Sequence, residues 1–132
     1  SWVSWVQASG FDAGSALVAF DRHTFGDMAP YVYQTHDYGR SWTALITPKA
    51  DKGVRGYAHV IKEDPQKQGL LYLGTEFGFW VTLDRGQSWI SLNTNLPTVA
   101  VHDVAIHPTA GEEFVTLRTA RPEPSPKKAA AE

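Results

Sequence analysis

The chain has 132 residues, with 12 Lys and Arg against 14 Asp and Glu, for a formal net charge of −2. That balance excludes a broad electrostatic attraction to nucleic acid or to an anionic membrane. There is no Cys, which removes disulfides, Cys-ligated zinc and a thiol nucleophile from consideration. No apolar run approaches the length of a transmembrane helix, and the opening S-W-V-S-W-V lacks the basic and apolar regions of a signal peptide.

Strand signals dominate. Short runs rich in Val, Leu, Ile, Tyr, Phe and Trp alternate with Gly, Pro, Asn and Asp. Strands are predicted near 2–8, 15–20, 31–35, 42–46, 57–62, 70–75, 79–83, 89–92, 101–106 and 114–118. No segment sustains a 3.6-residue apolar period over three turns. After Thr119 the chain reads R-P-E-P-S-P-K-K-A-A-A-E. Three prolines in a polar stretch argue against further sheet, so residues 120–132 are expected to form an extended or disordered tail.

The strands sort into repeating units, about 1–46, 57–92 and 101–118 within a folded region 1–119. Inner strands V-S-W-V-Q-A, Y-A-H-V-I-K and V-H-D-V-A-I open the three units. The third unit has a second strand and then stops. Residues 35–42 read T-H-D-Y-G-R-S-W and residues 82–89 read T-L-D-R-G-Q-S-W. Both fit (Ser/Thr)-x-Asp-x-Gly-x-x-Trp, with Asp37 and Asp84 47 residues apart. That period suits one four-stranded propeller blade per repeat. Strands such as Leu70–Leu73 and Phe79–Val81 are apolar without alternation, as expected of strands covered on both faces. The fold class is therefore all-β, with about two four-stranded antiparallel blades and a partial third. A β-sandwich is the alternative.

Each motif falls on a hairpin, and its residues have structural tasks there. Gly39 and Gly86 allow a positive φ. Asp37 and Asp84 can accept bonds from the turn's backbone, Thr35 and Thr82 can add a hydroxyl bond, and Trp42 and Trp89 are expected to be buried as anchors. This motif is the Asp box, or BNR repeat. The run E-D-P-Q-K-Q-G-L-L-Y-L-G-T-E-F-G-F-W-V-T-L-D-R-G-Q-S-W resembles bacterial proteins with sortilin-like (VPS10-type) BNR propellers, and the likeness extends over roughly residues 1–108. The resemblance implies a propeller fold, an extracytoplasmic location and a non-catalytic binding or interaction role, with carbohydrate or peptide as the ligand class. Family members usually carry a full ring of blades, so this chain resembles a two-blade fragment.

Other chemistry is weakly signalled. A sialidase needs clustered arginines, a Tyr nucleophile with a Glu partner and an acid/base Asp. Arg22, Arg40, Arg55, Arg85 and Arg118 are scattered over different units. No paired carboxylates of a glycosidase stand out, so no catalytic residue is assigned, and a glycoside hydrolase remnant is the alternative function. His102 and His107 point to opposite faces of one strand. His59 and His102 start equivalent inner strands and can approach each other, but the adopted reading is a hydrogen-bonded strand-end His, with no metal and no cofactor. The loops near 21–30, 47–56, 75–78 and 93–100 would line one end of a propeller. Arg22, His23, Asp27, Lys52, Arg55 and Glu76 are the ligand-binding candidates there.

Two stacked blades leave two outer faces bare. Trp5, Val18, Phe20, Tyr57, Val60, Tyr72, Phe79, Trp80, Val104 and Ile106 are expected to line those faces. The expected partner is a second copy, as a dimer or ring, or further blades of a larger propeller.

Overall fold

The computed structural model describes residues 2–92, 100–109 and 112–119. The expected tail and most of the 93–100 loop lie outside them. Three antiparallel sheets are stacked. The first runs in chain order: β1 (Trp2–Ala8), β2 (Ala16–Arg22), β3 (Asp27–Thr35) and β4 (Thr43–Ile46). The second repeats that order with β5 (Ala58–Glu63), β6 (Leu71–Thr75), β7 (Gly78–Thr82) and β8 (Ile90–Ser91). The third pairs β9 (Val101–Thr109) with β10 (Glu112–Thr119).

Each meander comes from short β-rich runs broken by turns too tight for anything but a hairpin. The β6–β7 link is the two-residue turn Glu76–Phe77, with Thr75 paired to Gly78. The β2–β3 link is much shorter than the predicted 21–30 loop. A single 3-10 turn, His23–Phe25, ends on left-handed Gly26, and Arg22 already pairs with Asp27. Pro30 therefore sits inside β3. A register irregularity between Phe20 and Arg22 falls beside it, as expected where a residue without an N–H interrupts a ladder.

Two cores hold the layers together. Between the first and second sheets lie Leu17, Ala19, Val32, Leu45, Ile46, Val54, Ala58, Ile61, Leu71, Leu73, Trp80 and Trp89. Between the second and third lie Val60, Phe79, Val101 and Val104, with Tyr72, Ile106 and Leu117 against them. Neighbours in sequence thus go to opposite cores: Leu71 and Leu73 to one, Tyr72 to the other. All five residues of β7 are buried. This is why the second unit lacks polar alternation, and it removes the two-layer sandwich alternative. It also corrects the residues expected on bare faces. Val60, Phe79 and Val104 are buried because the partial third unit covers the second one, Trp80 is buried in the core between the first two sheets, and Val18 is buried within the first sheet, at 7% exposure.

The strand registers align the first two sheets residue by residue. Ala16 pairs with Thr35 as Leu71 pairs with Thr82, and Val6 pairs with Val18 as Ile61 pairs with Leu73. Val6, Val18, Tyr33 and Trp42 therefore correspond to Ile61, Leu73, Trp80 and Trp89. In the second sheet this face is covered by the first. In the first sheet no described element covers it. Ile61 is 0% exposed and Val6 61%; Trp89 is 9% exposed and Trp42 45%. Trp42 is accordingly not the buried anchor the sequence suggests. Its turn is folded like the other, but the neighbour that closes over Trp89 is a preceding sheet.

Candidate functional site

The same backbone irregularity recurs in all three inner strands. In β1 the register slips between Val3 and Trp5, in β5 between Ala58 and Val60, and in β9 opposite Arg118 and Thr119. The residue left off the ladder is Ser4, His59 and His102 in turn. A bulge re-aims its side chain, and here it aims each one at its neighbours. Ser4 Oγ lies 2.9 Å from the Ala58 carbonyl of the next sheet. His59 stacks on His102 of the third sheet, with ring centroids 4.0 Å apart and planes 20° from parallel.

A close backbone approach makes that stack possible. A Cβ built on Gly74 would lie 2.6 Å from the Val101 carbonyl oxygen and 2.8 Å from Val60 Cγ1. Only glycine lets β9 settle this close to β6, and His102 is the residue after Val101.

The stack continues into a four-ring ladder. His23 lies on Tyr57 at 4.5 Å, and Tyr57 meets His59 edge-on at 4.9 Å. Two carboxylates brace it. Asp21, buried, accepts from the His23 backbone N–H at 2.8 Å and lies 2.5 Å from Nδ1. Glu76 Oε1 lies 2.8 Å from His59 Nε2. Burial first, then the Glu76 charge, raises the pKa of the Tyr57 hydroxyl. Burial, then the neighbouring His59, lowers that of His102, so the ring favours its neutral form. His59, Glu76 and His102 offer three ligand atoms that all lie within 4.8 Å of one another.

The sequence candidates divide. His23 and Glu76 both join the ladder region. Arg22 and Asp27 pair with each other at 4.0 Å, and Asp27 also accepts from the Tyr31 hydroxyl. Lys52 donates its ammonium to the Gly86 carbonyl at 2.8 Å, which fastens the 47–57 connection to the second motif turn. Arg55 is exposed, and its carbonyl accepts from Thr75 Oγ1 at 2.6 Å.

The two motif turns are near copies. Thr35 Oγ1 donates to Asp37 Oδ1 and accepts from Gly39 N–H at 2.9 Å each. Thr82 does the same with Asp84 at 2.6 Å and Gly86 at 3.0 Å. Tyr38 and Gly39, like Arg85 and Gly86, both have positive φ, the pairing a type I′ turn requires. Ser41 and Ser88 each donate a backbone N–H and a hydroxyl to the motif Asp. Those bonds hold Asp37 down to about 2 and Asp84 lower still. The two serines had no role in the sequence reading, although their recurrence at one motif position was the available signal.

Ser15, His36 and Asp12 make another cluster, with Ser15 Oγ 2.6 Å from Asp12 Oδ2 and 2.8 Å from His36 Nδ1. In a nucleophilic triad the acid orients the histidine. Here the serine lies between Asp12 and His36 and the acid bonds the serine, so the acid–histidine–serine order of a triad is not present, and the cluster ties the β1–β2 turn to His36.

No family model matches the chain. Over 84 residues, 64% of the chain, it is 27% identical to a vacuolar protein sorting/targeting protein 10 from Leptosphaeria maculans. It covers 5% of that protein's length. Among solved structures it resembles the GH74 enzyme of Niastella koreensis, with TM-score 0.63 and 15% identity over 87% of the chain. It also resembles the GH74 xyloglucanase of Xanthomonas campestris, with TM-score 0.58 and 17% identity over 90%. The chain spans 19% and 21% of those structures. At such identities the likeness is one of fold. The chain is an all-β, propeller-type stack of blades, similar over part of its length to a sorting protein of the VPS10 kind.

Proposed function

We propose that this chain is a segment of a propeller-type interaction module of the sortilin-like, Asp-box kind, in which the open face of the first sheet receives another blade. The observation that carries this reading is the contrast between Trp42 and Trp89. Turns held by the same set of bonds end in one covered and one half-exposed indole. The chain also displays what the cover looks like: β4 contributes Leu45 and Ile46, and the connection after it Val54, to the core that holds Trp89. A further blade's outer strand would do the same for Trp42. In the isolated chain the available donor of such a strand is a second copy.

The test is the solution mass at micromolar concentration, by light scattering. Self-association that Trp42→Ser abolishes, with the circular dichroism spectrum retained, is the expected result. A monodisperse monomer across that range would remove the second copy as the covering element. An unchanged mass class in the variant would remove the face.

A hydrolytic reading has one observation in its favour. Asp21 and Glu76 both act on Tyr57, at the end of the sheets where a cleft would open, and the similar structures are glycoside hydrolases. Release of chromophore from aryl glycosides, lost in Glu76→Gln, would replace the binding reading with this one.

A further inference from the structure

We propose that His59, Glu76 and His102 form a binding site for a divalent late-transition-metal ion, with Zn2+ as the first choice. The three donors come from three separate places: the bulge of β5, the β6–β7 turn and the bulge of β9. Their ligand atoms converge within 4.8 Å. Tetrahedral bonds of about 2.0–2.2 Å set ligand atoms roughly 3.3 Å apart. The 2.8 Å His59–Glu76 contact has to open slightly, and the His59–His102 stack has to part so that each ring turns a nitrogen lone pair toward the ion. Two imidazoles and one carboxylate with a fourth position free is a common zinc set, and imidazole favours Zn, Cu and Ni over Mg and Ca.

Three further features fit an ion site better than a chance cluster. First, the bulge is repeated in every inner strand, and in the second and third sheets the bulged residues are ligand-type and meet each other, His59 on His102. The first sheet has Ser4 at that position. Second, the donors are held. Glu76 N–H donates to the Tyr57 carbonyl at 3.0 Å, Tyr57 packs on His59, and Gly74 fixes the approach of β9. Third, the donors stay reachable, with side-chain exposures of 14% for His59 and 32% for Glu76. A fourth position, left free by three protein ligands, suits a water molecule or a ligand carboxylate.

The experiment is calorimetric titration of the untagged chain with ZnCl2, alongside CoCl2 titration read by visible absorption. One equivalent should bind, with the ligand-field bands of four-coordinate Co2+. His102→Ala should weaken affinity by at least ~100-fold, beyond what loss of a supporting residue costs. Glu76→Gln should weaken it too, while keeping the side-chain shape and a hydrogen bond to His59; it guards against a His102→Ala variant that fails to fold. His36→Ala/His107→Ala should bind as the parent does. Absence of saturable binding, unchanged affinity in Glu76→Gln or in folded His102→Ala, or loss in the His36/His107 variant would overturn the site.

Discussion

The paired tryptophans offer a test that needs no ligand. Trp89 is 9% exposed and Trp42 45%, so one indole is withdrawn almost wholly from water and the other about half. With ~200 Å2 per Trp side chain and ~25 cal/mol per Å2, the hydrophobic loss is ~4.5 kcal/mol for Trp89→Ala and ~2.8 kcal/mol for Trp42→Ala. These are upper figures, because a denatured chain already hides part of its surface. Trp89 lies in the core that also holds Leu45, Ile46 and Val54, so a cavity cost adds there and is smaller at the half-exposed Trp42. Trp89 Nε1 is buried with no hydrogen-bond partner among the described residues, and removing such a donor offsets about 1–3 kcal/mol. The net expectation is that Trp89→Ala costs more by roughly 1–3 kcal/mol. Urea unfolding followed by circular dichroism measures both, at a concentration where light scattering shows a monomer. Equal losses, or a larger one for Trp42→Ala, would refute the assignment of a covered and an uncovered face.

Three further expectations follow from the local geometry. The motif aspartates have depressed folded-state pKa values, Asp37 near 2 and Asp84 lower. Their contribution is complete above the unfolded carboxylate pKa of about 4 and fades as pH falls toward 2; thermal melts across that window should show Asp37→Asn/Asp84→Asn losing less stability on acidification than the parent. Gly74→Ala should destabilise by about 1–3 kcal/mol through overpacking against Val101, and proton NMR should show the ring-current shifts of the His59–His102 stack diminished; a neutral substitution would contradict the close approach of β9. Ser4→Ala removes the hydroxyl that spans to the Ala58 carbonyl and should cost about 1 kcal/mol in urea unfolding, whereas an unaffected midpoint would show that this bond adds nothing between the sheets.

Much of the fold was legible because its signals are local. Hairpins need Gly, Asp or Asn at fixed places, and strands need runs of β-formers, so ten strands could be placed within a few residues. The doubly covered second sheet showed in the unbroken apolar run of β7. Exposure of the outer face was not legible. Trp42 and Trp89 sit in nearly identical octets, and what separates them is the presence of a preceding sheet, a property of the neighbour. The 21–30 loop was overestimated because Pro30 reads as punctuation, while in the structure a register irregularity accommodates it within a strand.

The ladder site was half legible, and the missing half explains how it arises. His59 and His102 could be aligned as equivalent inner-strand residues, and Glu76 could be placed in a tight turn. Their convergence depends on two bulges, in β5 and β9, which are register events between strands and leave no mark in one strand's composition. It also depends on Gly74, whose role is to be absent beyond its Cα. Its counterpart in the first sheet is Ala19, which pairs with Trp5 as Gly74 pairs with Val60. There the extra methyl is buried against the next sheet, and the bulge residue is Ser4, which reaches a backbone carbonyl and not a ring. The two sheets thus share one frame, and two of the positions at which they differ are linked. Ala with Ser makes a structural tie between layers. Gly with His lets the next strand come close enough for two imidazoles and a carboxylate to meet. A repeat architecture converts one such pair of substitutions into a site without altering the fold that carries it.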